Sequence, residues 1–297
     1  MATFLFTDIT CDLPSEYASR ADFEILPFSF TLGSDSYDNI HASLTPKEFY
    51  TRMRAGELAT TSMLSQYLCE QKLEERLQQG YDVLYLVFSS ALSGTFNLAE
   101  RTAKELAQKY PGRKIRAIDT RNASLGEGMF VHYVLRKRDA GASFDELVAY
   151  AEGLTDHVCS YFTVDDLRHL ARLGRVSKTA AFIGEMAQIK PVLYVNRLGE
   201  LVPIAKVLSR KKSLKALVDK MQEKMLPAAE QQIVIVGHGD CEQDAQTVAD
   251  MVRERFGITN ILISDIGPVI GAHTNAGVVA LFFLGEDKVE AKDARVQ

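Results

Sequence analysis

The chain has 297 residues, 46% of them hydrophobic and 25% charged, and a net charge of −5. That length exceeds what one hydrophobic core usually serves, so two domains are expected. An acidic chain repels phosphate backbones, which argues against nucleic acid as the main partner.

From Met1 to Asp8 no basic stretch precedes the apolar residues, so no signal peptide is expected. No run approaches the roughly 18 apolar residues that a membrane span requires, so no stable membrane insertion is expected. Cys11, Cys69, Cys159 and Cys241 are scattered and read as reduced thiols of a cytoplasmic protein. The six histidines are equally dispersed and show no metal-ligand spacing.

In chain order, Thr3–Thr7 reads as a strand and Glu24–Leu32 as another. Thr45-Pro46-Lys47-Glu48 is a capping box with proline at the first helical position, followed by Phe49, Tyr50 and Met53 on one face. Ser65–Gln79 reads as a helix that stops at Gly80. Asp82–Phe88 is an almost unbroken apolar run, as in a strand buried on both faces of a parallel sheet. A helix over about Gly94–Lys109, a strand at Lys114–Ile118 and a helix over about Ala123–Lys137 follow. A second capping box, Ser143-Phe144-Asp145-Glu146, opens another helix.

The pattern then changes. Ile189–Asn196 and Leu201–Val207 flank a turn at Arg197-Leu198-Gly199-Glu200 and read as a hairpin. A basic helix with Arg210, Lys211, Lys212 and Lys215 follows. Beyond it lie strand Gln232–Gly237, helix Cys241–Phe256 and strands Asn260–Ser264 and Val278–Leu284. The expected fold is therefore α/β and two-lobed. An N-terminal, mostly parallel sheet with helices on both faces (residues 1–155) precedes a C-terminal α/β lobe with a mixed sheet (residues 156–297).

Ligands of open α/β sheets bind beyond the carboxyl ends of the strands. Three hydroxyl- or glycine-rich loops stand out there. Ser89-Ser90-Ala91-Leu92-Ser93-Gly94-Thr95 enters a helix, where hydroxyls and free N–H groups suit an anion or simply cap the helix. Thr60-Thr61-Ser62, with Ser65 beyond, is open to the same two readings. Ile266–Gly277 holds three glycines and a proline, reads as a tight loop, and ends near His273 and Thr274. Catalytic and cofactor templates fail: there is no GxSxG elbow, and Gly174-Arg175-Val176-Ser177-Lys178-Thr179 lacks the second glycine of a phosphate loop. Gly126-Glu127-Gly128 lacks the third glycine of a dinucleotide fingerprint.

At these loops the chain resembles the DegV family of bacterial fatty-acid-binding proteins along essentially its whole length. Thr7-Asp8-Ile9-Thr10-Cys11-Asp12-Leu13-Pro14 is similar to that family's opening TDSTxDLP, and Thr61-Ser62-Met63-Leu64-Ser65 to its TSQPS. Ser89–Thr95 is similar to SSxLSGT, Asp119 with Ser124-Leu125-Gly126 to D(S/T)xxxSxG, Ile189-Lys190-Pro191 to IKP, and Ile266–Thr274 to IGPVIGxHT. The chain departs from the pattern at Ile9, at Met63-Leu64 and at Asn275-Ala276.

The resemblance implies a cytoplasmic, monomeric lipid carrier with no catalytic residue, metal or cofactor. Its ligand would be a fatty acid such as palmitate or oleate. Thr61, Ser62, Ser93, Gly94, Thr95, His273 and Thr274 would surround the carboxylate, and the tail would run into a dry tunnel in the second lobe. About fourteen buried methylenes at ~0.8 kcal/mol each would contribute roughly 11 kcal/mol before ordering costs. Phe162, Phe182, Ile183, Met186, Ile189, Phe282 and Phe283 are tunnel candidates equally explained as core. The family also implies a fatty-acid kinase as partner for acyl-phosphate formation, with Arg175, Lys206 and Arg210 as docking cations; Arg172, Lys178, Lys211 and Lys212 lie in the same basic stretches. Two alternatives remain. One is an acyl hydrolase or transferase using Ser93 and His273, with Asp265 orienting the imidazole. The other is a binding module for a sterol or an isoprenoid acid.

Overall fold

The computed structural model describes residues 2–38, 44–176, 189–231 and 233–288. The first half contains β1 (Thr3–Asp8), α1 (Ser15–Ala18), β2 (Phe23–Leu26), β3 (Ser29–Leu32), β4 (Asp35–Asp38), α2 (Pro46–Arg54), β5 (Ala59–Ser62) and α3 (Gln66–Gln78). It continues through β6 (Asp82–Val87), α4 (Thr95–Lys109), β7 (Ile115–Asp119), α5 (Leu125–Asp139) and α6 (Phe144–Leu154). The second half contains β8 (Val158–Thr163), α7 (Leu167–Arg172), β9 (Ile189–Val195), β10 (Leu201–Leu208) and α8 (Arg210–Lys224). It ends with β11 (Val234–His238), α9 (Glu242–Phe256), β12 (Ile261–Asp265), α10 (Pro268–Thr274) and β13 (Val279–Leu284).

The first sheet is parallel, in the order β2-β1-β6-β7. Its strands are apolar on both faces because both are covered. Phe4, Phe6, Val83, Tyr85 and Val87 pack against α3 and α4, while Leu5, Leu84, Leu86 and Ile118 face α5 and α6. The second sheet is mixed, in the order β10-β9-β8-β13-β11-β12, with only β11 and β12 parallel. Tyr161, Tyr194, Val236, Leu281 and Phe283 pack against α8 and α9. The opposite face presents Phe162, Leu193, Ile235, Ala280 and Phe282 to the cluster that contains α5.

Helix α5 thus lies between the two sheets, and every residue from Leu125 to Val131 is buried. Its glycines are spacers, not a nucleotide loop. A Cβ on Gly126 would fall 2.5 Å from Ser160 Oγ, and one on Gly128 would fall 2.6 Å from the Cys11 carbonyl. Glu127, between them, is fully buried.

Both capping boxes form, Thr45 with Glu48 and Ser143 with Glu146. Three expectations change. Glu24–Leu32 is not one strand: the chain breaks at Pro27, so β2 joins the parallel sheet while β3 joins a small antiparallel sheet, β4-β3-β5. Proline has no N–H to give a ladder, which is where the chain switches sheets. Thr60–Ser62 belongs to β5, and Ser65 alone caps α3, accepting from the Leu68 amide. The expected loop at 266–277 contains α10, opened by Pro268 at the first helical position and ended by Asn275 at φ 66°.

Candidate functional site

The carboxyl ends of β6 and β7, helix α10 and the inner face of the mixed sheet enclose a cavity of about 300 Å³. That is within the range of small-ligand pockets, roughly 300–1,000 Å³. Its wall is mainly apolar: Phe28, Phe88, Leu92, Phe162, Leu170, Val195, Leu201, Ile266, Val269, Ile270, Val278, Ala280 and Phe282. The polar residues are Thr61, Ser93, Ser124, Ser160, Arg175, His273 and Thr274, with the Gly94 backbone.

Strand alternation decides which hydroxyl of β5 enters. Thr61 turns inward and shares a 2.9 Å hydrogen bond with His273 Nε2. Thr60 turns outward to Thr31 Oγ1 at 2.7 Å. Ser62, one residue from Thr61, is exposed and does not line the cavity. At the start of α4, Ser93 Oγ lies 2.9 Å from Thr95 Oγ1 and accepts from the Thr95 amide at 3.3 Å. Thr95 is fully buried behind Ser93, whereas Gly94 and Ser93 line the cavity. Gly94 is the N-cap and offers no side chain, so Ser93 works within the first turn. Thr274 donates to the Ile270 carbonyl at 3.2 Å and reaches the cavity one turn further along α10.

Burial pushes His273 down to about 4, with Arg175 and His169 adding repulsion, so the imidazole is neutral at physiological pH. Among the described residues the polar part of the cavity rim therefore consists of hydroxyls, a neutral ring and the Arg175 guanidinium. Arg175, expected on a docking surface, lies at this rim, where its Nε donates to the Leu92 carbonyl at 3.1 Å. Lys206 is exposed on the edge strand β10, and Arg210 is paired with Asp244 at 2.8 Å; neither lines the cavity. Lys178, Phe182, Ile183 and Met186 lie outside the described residues. Ile189 and Phe283 do not line the cavity, and Phe283 packs on the α8–α9 side.

The arrangement does not assemble a nucleophile and base. Ser93 is bonded to Thr95, and His273 to Thr61. Asp265 does not orient His273: it lies 3.4 Å from His238 Nδ1 instead. His273 Nδ1 has no hydrogen-bond partner among the described residues. No cluster of metal-ligating side chains occurs among the described residues, and no described helix is long and apolar enough to cross a membrane.

The sequence reading missed Ser124 and Ser160 on the cavity wall. It also missed a buried carboxyl network behind them. Thr7 donates to Glu127 at 2.9 Å, Thr10 bridges Glu127 at 2.8 Å and Asp8, and Ser124 donates to Asp12 at 2.6 Å. Burial raises Asp8 to about 6 and Asp12 to about 7, and pushes Glu127 up as well. The signal was present in Thr7–Asp12, two acids and two threonines within six residues. Ser160, inside an apolar strand, carried none.

A family model described as "Uncharacterised protein, DegV family" matches residues 3–286. A DegV domain-containing protein of Clostridium perfringens is 44% identical over 285 residues, covering 96% of this chain and 98% of its own. One from Streptococcus pyogenes is 31% identical over 288 residues, covering 97% and 99%. Among solved structures, a fatty acid binding DegV family protein of Streptococcus agalactiae aligns with a TM-score of 0.84 at 26% identity, covering 97% of this chain and all (100%) of that one. A DegV family protein of Thermus thermophilus, described for its fatty acid binding, aligns with a TM-score of 0.81 at 27% identity, covering 96% and 100%. A match across nearly the whole length, with the two-sheet architecture and the ordered loop motifs, places the chain in the DegV family.

Proposed function

We propose that this protein binds one long-chain fatty acid between its lobes and carries it, with no chemistry of its own, to a partner fatty-acid kinase. The observation that carries this reading is the form of the cavity: an apolar chamber edged by Thr61, Ser93, Gly94 and His273. A carboxylate there would take hydrogen bonds from hydroxyls and from the amide end of α4, whose dipole favours an anion. The apolar wall would take the tail and supply most of the affinity. The fatty-acid binding described for the Streptococcus agalactiae and Thermus thermophilus proteins supports the same ligand class.

Arg175, at the rim, would face the carboxylate and the incoming partner together; Lys206 and Arg210 would act further out, on the β10–α8 surface. Charge complementarity of this kind steers association and fixes orientation. On this reading residues 1–155 carry the headgroup loops and residues 156–297 most of the tail wall.

The test is native mass spectrometry of the purified protein followed by denaturing extraction. An added mass of roughly 230–290 Da, identified as a straight or branched fatty acid, is expected for a chain long enough to give the methylene burial above. A protein that carries no acyl chain and takes up none when offered palmitate or oleate would refute the reading. The kinase step is tested separately, by acyl-phosphate formation from the loaded protein, ATP and the kinase, with Lys206→Glu expected to slow it.

A further inference from the structure

Two residues beside the cavity adopt backbone conformations that non-glycine residues rarely hold. Asp12 has φ 51° and Ser124 has φ 54°. Such strain persists only where the surroundings impose it. These two are joined directly, Ser124 Oγ donating to Asp12 Oδ2 at 2.6 Å. The other side of the same carboxyl accepts from the backbone amide of Gly267. Gly267 has no room for a side chain there: a Cβ would fall 2.5 Å from Asp12 Oδ1.

The two partners belong to different walls. Ser124 lines the cavity and opens α5, the helix between the sheets. Gly267 opens α10, which carries His273 and Thr274. We propose that Asp12 is a positioning residue for the ligand cavity, a carboxyl latch that ties the α5 wall to the α10 wall and sets their spacing when a fatty acid is held. The latch rests on the fatty-acid reading of the cavity. It adds a means by which proton uptake controls retention.

Closing the latch packs the half-buried carboxyl between the two walls, and its desolvation raises it to about 7. An opened latch would return it to water and to the ordinary range near 3.9. The closed state therefore holds a proton that the open state releases, so closure weakens as pH rises from about 4 to about 7 and is flat above that. The groups facing Asp12 are Asp8 from β1, Cys11 beside it, Glu127 from α5, Asp265 from the end of β12 and Tyr50 from α2. Among the described residues no basic group is among those that shift it, so none of them supplies an ion pair to keep the carboxyl charged.

The experiment measures palmitate affinity of the full chain between pH 5.5 and 8.5 for wild type, D12N, D12A, S124A and D12A/S124A, with thermal midpoints as a check on folding. Removing a hydrogen bond of this kind is worth about 1 kcal/mol, so D12A and S124A should each bind about fivefold or more weakly. The double variant should bind no more weakly than D12A alone, because the two residues share one interaction. D12N cannot titrate, so its affinity should lose the pH dependence that wild type shows below 7. If D12A fails to fold, D12N and S124A carry the test. Additive losses, or a pH slope retained in D12N, would overturn the latch. Absence of binding in every protein, wild type included, would sink the fatty-acid reading instead.

Discussion

On the fatty-acid reading, Ala280 offers a direct measure of how the tail would be held. It lies on β13 opposite Phe162 of β8 and Gly237 of β11, and it lines the cavity. Replacing it with leucine puts three further carbons into space otherwise open to the ligand. Each displaced methylene costs ~0.8 kcal/mol, so an acid that fills the cavity should lose ~2.4 kcal/mol, about 50-fold in Kd. An acid three carbons shorter should bind the variant and the wild type alike. The assay is displacement of a fluorescent fatty acid by a homologous series of straight-chain acids, with the thermal midpoint recorded alongside. Overpacking strain of ~1–3 kcal/mol would lower stability without regard to chain length, so the two effects separate. Equal weakening along the whole series would refute the placement of the tail against β13.

Three further outcomes test other parts of the structure. Thr61→Val leaves His273 Nε2 without its 2.9 Å partner and should weaken fatty-acid binding about fivefold, whereas Ser62→Ala, one residue on and exposed, should leave the displacement curve unchanged. Gly126→Ala places a Cβ 2.5 Å from Ser160 Oγ and 3.0 Å from Phe282, and should cost ~1–3 kcal/mol in urea unfolding; an unchanged midpoint would mean that α5 is not wedged between the sheets. Asp8 keeps its proton to about pH 6 and Asp12 to about 7 in the folded protein, while the unfolded chain releases both near 3.9. Stability should therefore fall as pH rises from 4 to 7 and level off above, and D8N/D12N should flatten the thermal-midpoint profile over that range.

Much of this architecture was legible because its signals are local. The almost unbroken apolar run at Asp82–Phe88 reads as a strand covered on both faces, and Thr45–Glu48 and Ser143–Glu146 specify helix starts through bonds that span three residues. The misreadings arose where a neighbour distant in sequence decides. Nothing near Pro27 says that the strands on either side of it belong to different sheets. The glycines and proline of 266–277 look like a loop, yet a proline at the first turn of α10 is compatible with a helix, and Gly267 and Gly271 lack side chains because Asp12 and Tyr50 press on them. Thr60, Thr61 and Ser62 are chemically alike in the sequence; only the pleat of β5 separates the one that meets His273 from the two that face water. Likewise, Glu127 between two glycines looked like a failed nucleotide loop, because its partners Thr7 and Thr10 are more than a hundred residues away.

The pairing of the rim groups bears on why such a site would release what it holds. Ser93 has Thr95 and Thr61 has His273, so each rim hydroxyl has an internal partner without any ligand. A site whose polar groups are stranded when empty gains heavily from its ligand, because buried unpaired groups cost ~1–3 kcal/mol each. For these hydroxyls that cost is absent, and a carboxylate only exchanges one set of hydrogen bonds for another. The neutral imidazole adds no ion pair. On the proposed reading the rim hydroxyls therefore contribute orientation more than affinity, leaving the apolar wall to supply most of the binding energy. If the protein is the proposed carrier, it would hold its cargo by the tail and leave the carboxylate, the end a partner kinase would have to reach, the more weakly held of the two.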